Sequence, residues 1–295
     1  MGTEIITFGE AMVELSAIQD DQCRIGIGGD TFNTAVYLAR NGHHVAYATA
    51  VGTCPFSAQL LDALHKENIS KHLAPALPGR SVGLYAISVD DEGERSFTYW
   101  RSESAVRSLF DAPEANEVLS AMREVETLYL SGITLSLYTD EVQGQILNLM
   151  EERKSAGNRN VFDGNYRPRN WKNVEAARSV IMKAIGLATW SLPTFDDEAE
   201  LFGDRTPEET AERHRATGAD EVVVKHGADG ALVDGVEWVK PPEKVTPKDT
   251  TGAGDSFNAA FLSARLRGAS SVEAALAGHK LAARVLSVPG ALIPA

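Results

Sequence analysis

A glycine-rich segment near the C-terminus, residues 249–255 (DTTGAGD), combines two features that phosphoryl transfer to a hydroxyl requires. Its small residues let the backbone turn tightly into the helix-like sequence that begins at Ser256, and the free N–H groups at a helix start attract an anion such as phosphate. Asp255 places a carboxylate beside that anion, which makes chemical sense if it removes a proton from a hydroxyl attacking the phosphate. Asp is also a common helix N-cap, and the segment taken alone favours this simpler role.

A second glycine-containing segment, residues 28–35 (GGDTFNTA), precedes another helix-like stretch near the start of the chain. Its glycines permit close approach of a ligand to the backbone, and Asp30 and Asn33 offer side chains that hydrogen-bond hydroxyl groups. A strand-to-helix turn capped by Asp30 or Thr31 explains the same residues. On its own, the segment leaves a binding site and a structural turn equally supported.

The elements around these segments alternate between short β-rich runs and helical patterns, which predicts a mainly parallel sheet with helices on both faces, an α/β fold. The expected strands are 4–8, 45–50, 128–131, 160–162, 188–191 and 221–225, and the expected helices are 31–40, 57–67, 139–156, 174–185 and 207–217.

Two regions, residues 13–27 and 82–100, interrupt this alternation because each reads as a pair of strands with no helix between them. Residues 90–93 (DDEG) predict the hairpin turn of the second pair. We expect these strands to form a small β-sheet lid at one edge of the domain. A small sheet has one face with nothing to cover it, so the lid must cover a ligand, a partner subunit or both. The alternative is that the strands extend the main sheet.

Composition excludes several classes of function. The 295 residues carry a net charge of −13, which argues against a nucleic-acid-binding surface and gives no reason to expect a membrane one. Cys23 and Cys54 form no CxxC pair, so neither a zinc site nor a disulfide framework is indicated. No apolar run reaches the roughly 18 residues of a spanning helix, and the first residues lack the pattern of a signal peptide. These features predict a cytoplasmic protein.

Taken together, the two glycine segments, in this order and at this distance, resemble the two signatures of the ribokinase-like (PfkB) carbohydrate kinases. The resemblance covers essentially the whole chain and implies one ribokinase-like kinase domain over residues 1–295. It implies ATP and Mg²⁺ as cofactors, with a monovalent cation as a further candidate. It also implies that Asp255 is the catalytic base and that the N–H groups of Gly252, Ala253 and Gly254 stabilise charge on the transferred phosphoryl group.

Further segments resemble one branch of this family, the 2-keto-3-deoxygluconate kinases. They are 99–101 (YWR), 131–134 (SGIT), 162–171 (FDGNYRPRNW) and 192–198 (LPTFDDE). The substrate of that branch is a sugar acid, whose carboxylate calls for an arginine, whereas a neutral sugar does not. The resemblance implies that Gly29, Asp30, Asn33, Tyr85, Tyr99, Arg101, Arg167 and Asp255 bind the sugar acid. Arg169 is expected to be a solvated surface residue.

On the nucleotide side, the resemblance implies contacts from Asn165, Arg167, Lys225, Gly227, Gly230, Gly252 and Gly254. Many relatives also carry an Asn-x-x-Glu motif that organises Mg²⁺ through water. Here Phe195 takes the place of the Asn, and Glu198 keeps the position of the Glu, so Glu198 is an indirect candidate for the metal.

Two alternatives to a sugar-acid kinase stay open. One is a fructokinase or another neutral-sugar kinase of the same family, and the other is a non-catalytic sugar-binding regulator with this fold. The expected partners are the small-molecule sugar acid and ATP, with no nucleic acid and no membrane. A homo-oligomer is also expected, because the lid has a face to cover.

Overall fold

A computed structural model describes residues 4–19, 22–89 and 95–294. Its twelve described strands are β1 (Ile5–Phe8), β2 (Met12–Gln19), β3 (Gln22–Gly28), β4 (Val45–Ala48), β5 (Gly83–Val89), β6 (Arg95–Trp100), β7 (Thr127–Ser131), β8 (Arg159–Asp163), β9 (Trp190–Ser191), β10 (Glu221–His226), β11 (Gly230–Val233) and β12 (Glu237–Val239). The described helices are α1 (Asp30–Arg40), α2 (Pro55–Lys66), α3 (Ala115–Glu124), α4 (Gly132–Ser136), α5 (Asp140–Ser155), α6 (Val174–Leu187), α7 (Phe195–Phe202), α8 (Pro207–Thr217), α9 (Ala253–Leu266) and α10 (Ser271–Leu286).

The main sheet has eight strands in the order β12-β11-β10-β9-β8-β7-β1-β4. Every pairing from β4 to β10 is parallel, while β11 and β12 add an antiparallel edge. The prediction of a mainly parallel sheet is therefore confirmed. The antiparallel edge was not expected, because β12 is only three residues long and two of them are exposed.

Helices cover both faces of this sheet, as the continuous burial of its strands requires. In β1, Ile6 and Phe8 join one apolar core with α3, α5 and α6, whereas Ile5 joins the other with α1, α2, α9 and α10. Val45 of β4 lies in the second core and Ala46 in the first. This period of two distributes the apolar side chains between two layers of helices.

The four lid strands form a separate sheet in the order β3-β2-β5-β6. Strands β2 and β3 form one antiparallel pair and β5 and β6 the other, and the two pairs join through parallel β2 and β5. The lid prediction is confirmed, and the alternative that these strands extend the main sheet is wrong. The predicted turn at residues 90–93 lies outside the described residues.

Within the described ranges, no helix is both long enough and apolar enough to cross a membrane.

Strands β1, β7, β8 and β10 end at the same edge of the sheet, and α1 and α9 begin there. Parallel strands deliver the residues at their carboxyl ends to one crevice, which is where open α/β sheets bind ligands. Gly29 precedes α1 with φ +152°, and a Cβ there would come 2.3 Å from the backbone oxygen of Glu10, so only glycine fits. Gly252 precedes α9 with φ +75°.

One buried arginine fixes the far end of β8. Arg153 of α5 is fully buried, and its guanidinium donates to Asn160 Oδ1 at 2.9 Å, to the Val125 oxygen at 2.8 Å and to the Arg159 oxygen at 2.8 Å. Burial lowers the pKa of Arg153 to about 10. Because Asn160 lies in β8, this network holds the strand whose other end presents Asp163.

We predict that Arg153→Met lowers the free energy of unfolding by at least about 3 kcal/mol, because several buried acceptors lose their donor. Chemical denaturation measures the change. Arg123→Met is the matched control: Arg123 pairs with Glu152 between half-exposed side chains, and its loss should cost less than about 1 kcal/mol. Equal losses for the two variants would contradict the role given to Arg153.

Candidate active site

The floor of the crevice is a buried ion pair. Lys225 Nζ at the end of β10 lies 3.0 Å from Asp163 Oδ2 at the end of β8 and 3.0 Å from Asn258 Oδ1 of α9. The Asn258 amide donates to the same Asp163 oxygen at 2.7 Å and to the Tyr129 hydroxyl at 3.0 Å. Strand ends and the first turns of α9 are thereby tied together.

Asp255, in the first turn of α9, lies against the other glycine segment. Asn33 Nδ2 donates to Asp255 Oδ2 at 2.8 Å, a contact between residues 222 positions apart in the chain. The two segments selected from the sequence therefore meet. The second amide atom, Asn33 Oδ1, is buried and has no hydrogen-bond partner in the described part of the chain, so it is available to accept from a ligand hydroxyl.

The surroundings of Asp255 favour its protonated form. Burial raises the pKa of Asp255 to about 8, and the negative charges of Asp30 and Asp163 add to this effect. The hydrogen bond from Asn33 and the charge of Lys225 oppose it. A carboxylate with a pKa near neutrality is suited to accept a proton from a hydroxyl.

Asp30 opens α1 and gathers two more predicted residues. Its Oδ2 accepts from Ser131 Oγ at 2.5 Å and from Asn165 Nδ2 at 3.2 Å. Burial raises the pKa of Asp30, and the hydrogen bond from Ser131 and the charge of Arg101 oppose that rise. Asn165, expected at the nucleotide, therefore lies beside the carboxylate expected at the sugar.

The lid presents aromatic rings toward the crevice. Tyr85 and Tyr99 occupy paired positions on β5 and β6, with ring centroids 5.7 Å apart, and the Tyr85 hydroxyl donates to Glu14 Oε2 at 2.5 Å. The guanidinium of Arg169 lies 4.1 Å from the Tyr99 centroid. Arg169 is exposed, as expected, and in addition its guanidinium stacks on this lid residue.

Both arginines expected at the substrate carboxylate are paired with acidic residues. Arg101 Nη2 lies 2.5 Å from Glu10 Oε2, and Arg167 Nη1 lies 2.9 Å from Asp197 Oδ1. Burial raises the pKa of Asp197 to about 6, against the effect of Arg167. Arg101 also borders a cavity of about 650 Å³, which the lid end and neighbouring segments enclose; Tyr99, Ser104, Arg107, Ser136 and Arg169 are among its lining residues.

The side chain of Asp249 holds the glycine turn before α9 through two hydrogen bonds. Asp249 accepts from the N–H of Thr251 at 2.9 Å and from the N–H of Gly290 at 2.5 Å. The Ala253 N–H donates to the Thr250 oxygen at 3.3 Å, so this amide must give up or share that bond to contact an anion. The roles of the Gly252, Ala253 and Gly254 amides stay predictions.

The turn after β10 contains the other predicted glycines. Gly227 has φ +51° and open space where a Cβ would stand. Gly230 has φ +121°, and a Cβ there would come 2.5 Å from the Val239 oxygen, so packing against β12 already requires this glycine. Gly227 has no such contact, and its place beside the nucleotide stays a prediction.

Glu198 lies in a cationic environment. Its Oε2 is 2.7 Å from Arg213 Nη2 and 3.1 Å from His214 Nε2, and the side chain is buried in α7. Burial alone would raise the pKa of Glu198, but His214 and Arg213 outweigh it and the pKa is lowered. No three His, Cys, Asp or Glu residues in the described part of the chain lie together as metal ligands. The link of Glu198 to Mg²⁺ stays a prediction.

Five residues that complete this site are not among the site residues predicted from the sequence: Glu10, Glu14, Asp163, Asp197 and Asn258. Signals existed for two of them. Asp163 follows directly on a predicted buried strand, and Asn258 lies three residues after Asp255 on the same helix, so both had to face the crevice. The acidic partners of the arginines carry no local signal, because their partners are distant in sequence.

Comparison with known proteins shows which family the chain belongs to. The sequence profile of the pfkB family of carbohydrate kinases matches residues 2–295. A 2-dehydro-3-deoxygluconokinase of Escherichia coli (strain K12) is 40% identical over 304 residues, covering 100% of this chain and 98% of that protein. One from Dickeya dadantii is 38% identical, covering 98% and 96%. The crystal structure of a PfkB protein from Polaromonas sp. JS666 superposes with a TM-score of 0.85 at 29% identity, covering 98% of both chains. The chain therefore belongs to the pfkB carbohydrate kinase family and is an ATP-dependent phosphotransferase.

Proposed function

We propose that this kinase transfers the γ-phosphoryl group of ATP to the terminal hydroxyl of 2-dehydro-3-deoxy-D-gluconate and so forms the 6-phosphate. The observation that carries the proposal is the meeting of Asn33 and Asp255 in a crevice that Arg101 and Arg167 flank. Two relatives of at least 38% identity that bear this activity in their names support the choice of substrate.

In the proposed reaction, Asp255 is the general base. Its carboxylate takes the proton of the terminal hydroxyl while that oxygen bonds to the γ-phosphorus; the bond from the γ-phosphorus to the β–γ bridging oxygen breaks, and ADP leaves. Asn33 Nδ2 orients the Asp255 carboxylate at 2.8 Å, and Asn33 Oδ1 accepts from a sugar hydroxyl. Gly29 lets the sugar approach the backbone, and Asp30 accepts from another hydroxyl.

At the other end of the sugar, Arg101 and Arg167 bind the carboxylate, and Tyr85 and Tyr99 of the lid cover the bound molecule. Such a site rejects neutral sugars, because without the carboxylate the charged groups lose a binding partner. Covering the site also excludes water, which would otherwise accept the phosphoryl group.

On the nucleotide side, Lys225, Asn165, Gly227 and Gly230 contact ATP, and the turn at Gly252, Ala253 and Gly254 faces the transferred group. Arg167, which the resemblance also links to the nucleotide, is assigned here to the sugar carboxylate. Because protein ligands alone form no metal cluster in the described residues, Mg²⁺ would be held chiefly by the phosphates, with Glu198 acting through water. When bound, Mg²⁺ neutralises charge on the phosphate oxygens. A monovalent cation is a further candidate.

The lid supports a proposal of self-association. Ile25 is 49% exposed on β3 and Trp100 is 58% exposed on β6, so large apolar side chains on the lid face solvent. A second copy of the chain would cover them, as isologous homodimers do. Sedimentation equilibrium of the purified protein reports the state, and a monomer at all concentrations would contradict the proposal.

ADP release with Mg-ATP tests the proposed function. We expect turnover on 2-dehydro-3-deoxygluconate and little on fructose, ribose or gluconate at equal concentration. A preference for fructose or ribose would identify a neutral-sugar kinase and overturn the assigned roles of Arg101 and Arg167. No turnover on any of the four compounds would show that this phosphotransferase acts on another substrate.

We predict that Asp255→Asn lowers kcat by about 10²- to 10⁴-fold with little change in KM, because general-base catalysis is lost while binding contacts remain. Steady-state kinetics measures both constants. The matched control is Asp196→Asn, which removes an exposed carboxylate in the first turn of α7 and should leave kcat unchanged. A folded Asp255→Asn enzyme with near-normal kcat would show that another group is the base.

We predict that Arg101→Met raises KM for the sugar acid by about 10- to 100-fold, the equivalent of one charge-assisted hydrogen-bond site. For the neutral methyl ester of the same sugar acid, KM should rise much less, because the ester carries no charge for Arg101 to bind. Arg80→Met is the control, since Arg80 pairs with the exposed Glu103. Equal losses for acid and ester would contradict the assignment of Arg101.

A further inference from the structure

Unsatisfied polar atoms concentrate at one place in the structure. Of the eight buried side-chain atoms that lack a hydrogen-bond partner among the described residues, five belong to Glu10, Arg101 and Tyr138. They are both carboxylate oxygens of Glu10, Nε and Nη2 of Arg101, and the Tyr138 hydroxyl. Glu10 and Arg101 face each other here as a buried ion pair, and buried charges are costly unless they are paired, so this cluster calls for an explanation.

Glu10 comes from the main domain and Arg101 from the lid. Glu10 lies two residues after β1 ends and two before lid strand β2 begins, and it is 2% exposed. Arg101 directly follows lid strand β6. Gly83, the first residue of β5, makes room between them: a Cβ there would lie 2.7 Å from Glu10 Oε1 and 3.2 Å from the Cβ of Arg101. The pair therefore lies at the base of the lid.

The contact between the two side chains is ionic. Arg101 Nη2 and Glu10 Oε2 are 2.5 Å apart. Burial raises the pKa of Glu10, while Arg101, Ser104 and Arg107 oppose that rise. A buried charge pair of this kind adds little net stability, but it is costly to leave either partner alone, so it fixes where each side chain lies.

Arg101 is also within electrostatic reach of the sugar site, because its charge lowers the pKa of Asp30. Its Nε and Nη2 atoms are out of contact with solvent beside Glu10. A ligand carboxylate must therefore use the remaining Nη1 edge or displace Glu10. In either case, the position of Glu10 decides how the guanidinium meets the ligand. Arg167 has a comparable partner in Asp197, at 2.9 Å.

We infer that Glu10 is a positioning residue that holds Arg101 in place for the substrate carboxylate, and thereby determines the preference for an acid over a neutral sugar. Glu10 acts through Arg101 and does not contact the substrate. The inference rests on the proposed function, because it needs a substrate with a carboxylate.

Glu10→Gln tests the inference, since glutamine keeps the shape of the side chain and removes its charge. We expect KM for 2-dehydro-3-deoxygluconate to rise about 10-fold, the effect of losing a charge-assisted contact. KM for ATP, kcat, and both KM and kcat for the neutral methyl ester should each change less than about 2-fold, because Glu10 contacts neither ATP nor the sugar. Glu103→Gln is the matched control: Glu103 also pairs with an arginine near this cavity, but its side chain is 83% exposed.

A double-mutant cycle separates positioning from a general structural role. If Glu10 acts through Arg101, adding Glu10→Gln to Arg101→Met should cause no further change in KM for the acid. Additive losses, equal losses for acid and ester, or an unchanged KM in Glu10→Gln would each overturn the inference. Should Glu10→Gln fail to fold, Glu10→Asp, which keeps the charge at a shorter reach, is measured by the same criteria.

The wild-type enzyme separates the two possible failures. If it does not phosphorylate the sugar acid, the proposed function fails whatever the variants do. If the wild-type enzyme does phosphorylate the sugar acid, and the Glu10 variants leave the ratio of KM for the acid to KM for the ester unchanged, only the role of Glu10 fails.

Discussion

The burial of several carboxylates at one edge of the sheet is the constraint on which the rest of the site depends. The negative charges of Asp30 and Asp163 raise the pKa of Asp255, and Lys225 forms an ion pair with Asp163. Burial disfavours the ionised form of Asp255, and neighbouring negative charges add to this effect, so the pKa of Asp255 rises toward the range in which it can exchange protons. The crowding of carboxylates destabilises the folded state locally, and it also raises the pKa of the proposed base.

Each of these three carboxylates accepts a hydrogen bond from a residue on another element of the fold. Ser131 at the end of β7 and Asn165 after β8 donate to Asp30, Asn33 of α1 donates to Asp255, and Asn258 of α9 donates to Asp163. The parallel strand ends and helix starts converge where those donors are needed. The two arginines on the substrate side are paired with acidic residues from outside the lid, Arg101 with Glu10 and Arg167 with Asp197. Charge is thus largely compensated within the protein before any ligand arrives.

The sequence predicted the parallel sheet, the lid and the two glycine segments, because periodicity and turn residues are local properties. The meeting of Asn33 with Asp255 followed only from a resemblance, since no spacing rule connects residues 222 positions apart. The acidic partners Glu10 and Asp197 could not be found this way, because a buried ion pair depends on two distant segments packing together. Likewise, the two-residue strand β9 offers too few positions to show a pattern, which explains why its predicted range was too long.

The pH dependence of kcat/KM for the sugar acid tests the central claim, that crowded carboxylates make Asp255 the base. From about pH 5.5 to 9.5 the wild-type enzyme should show a rising limb with an apparent pKa about 8, because only ionised Asp255 accepts the proton. In Asp30→Asn the limb should move to lower pH, since removing that negative charge favours ionisation of Asp255, even if the absolute rate falls. A flat profile in the wild-type enzyme, or a limb that Asp30→Asn leaves in place, would contradict the account.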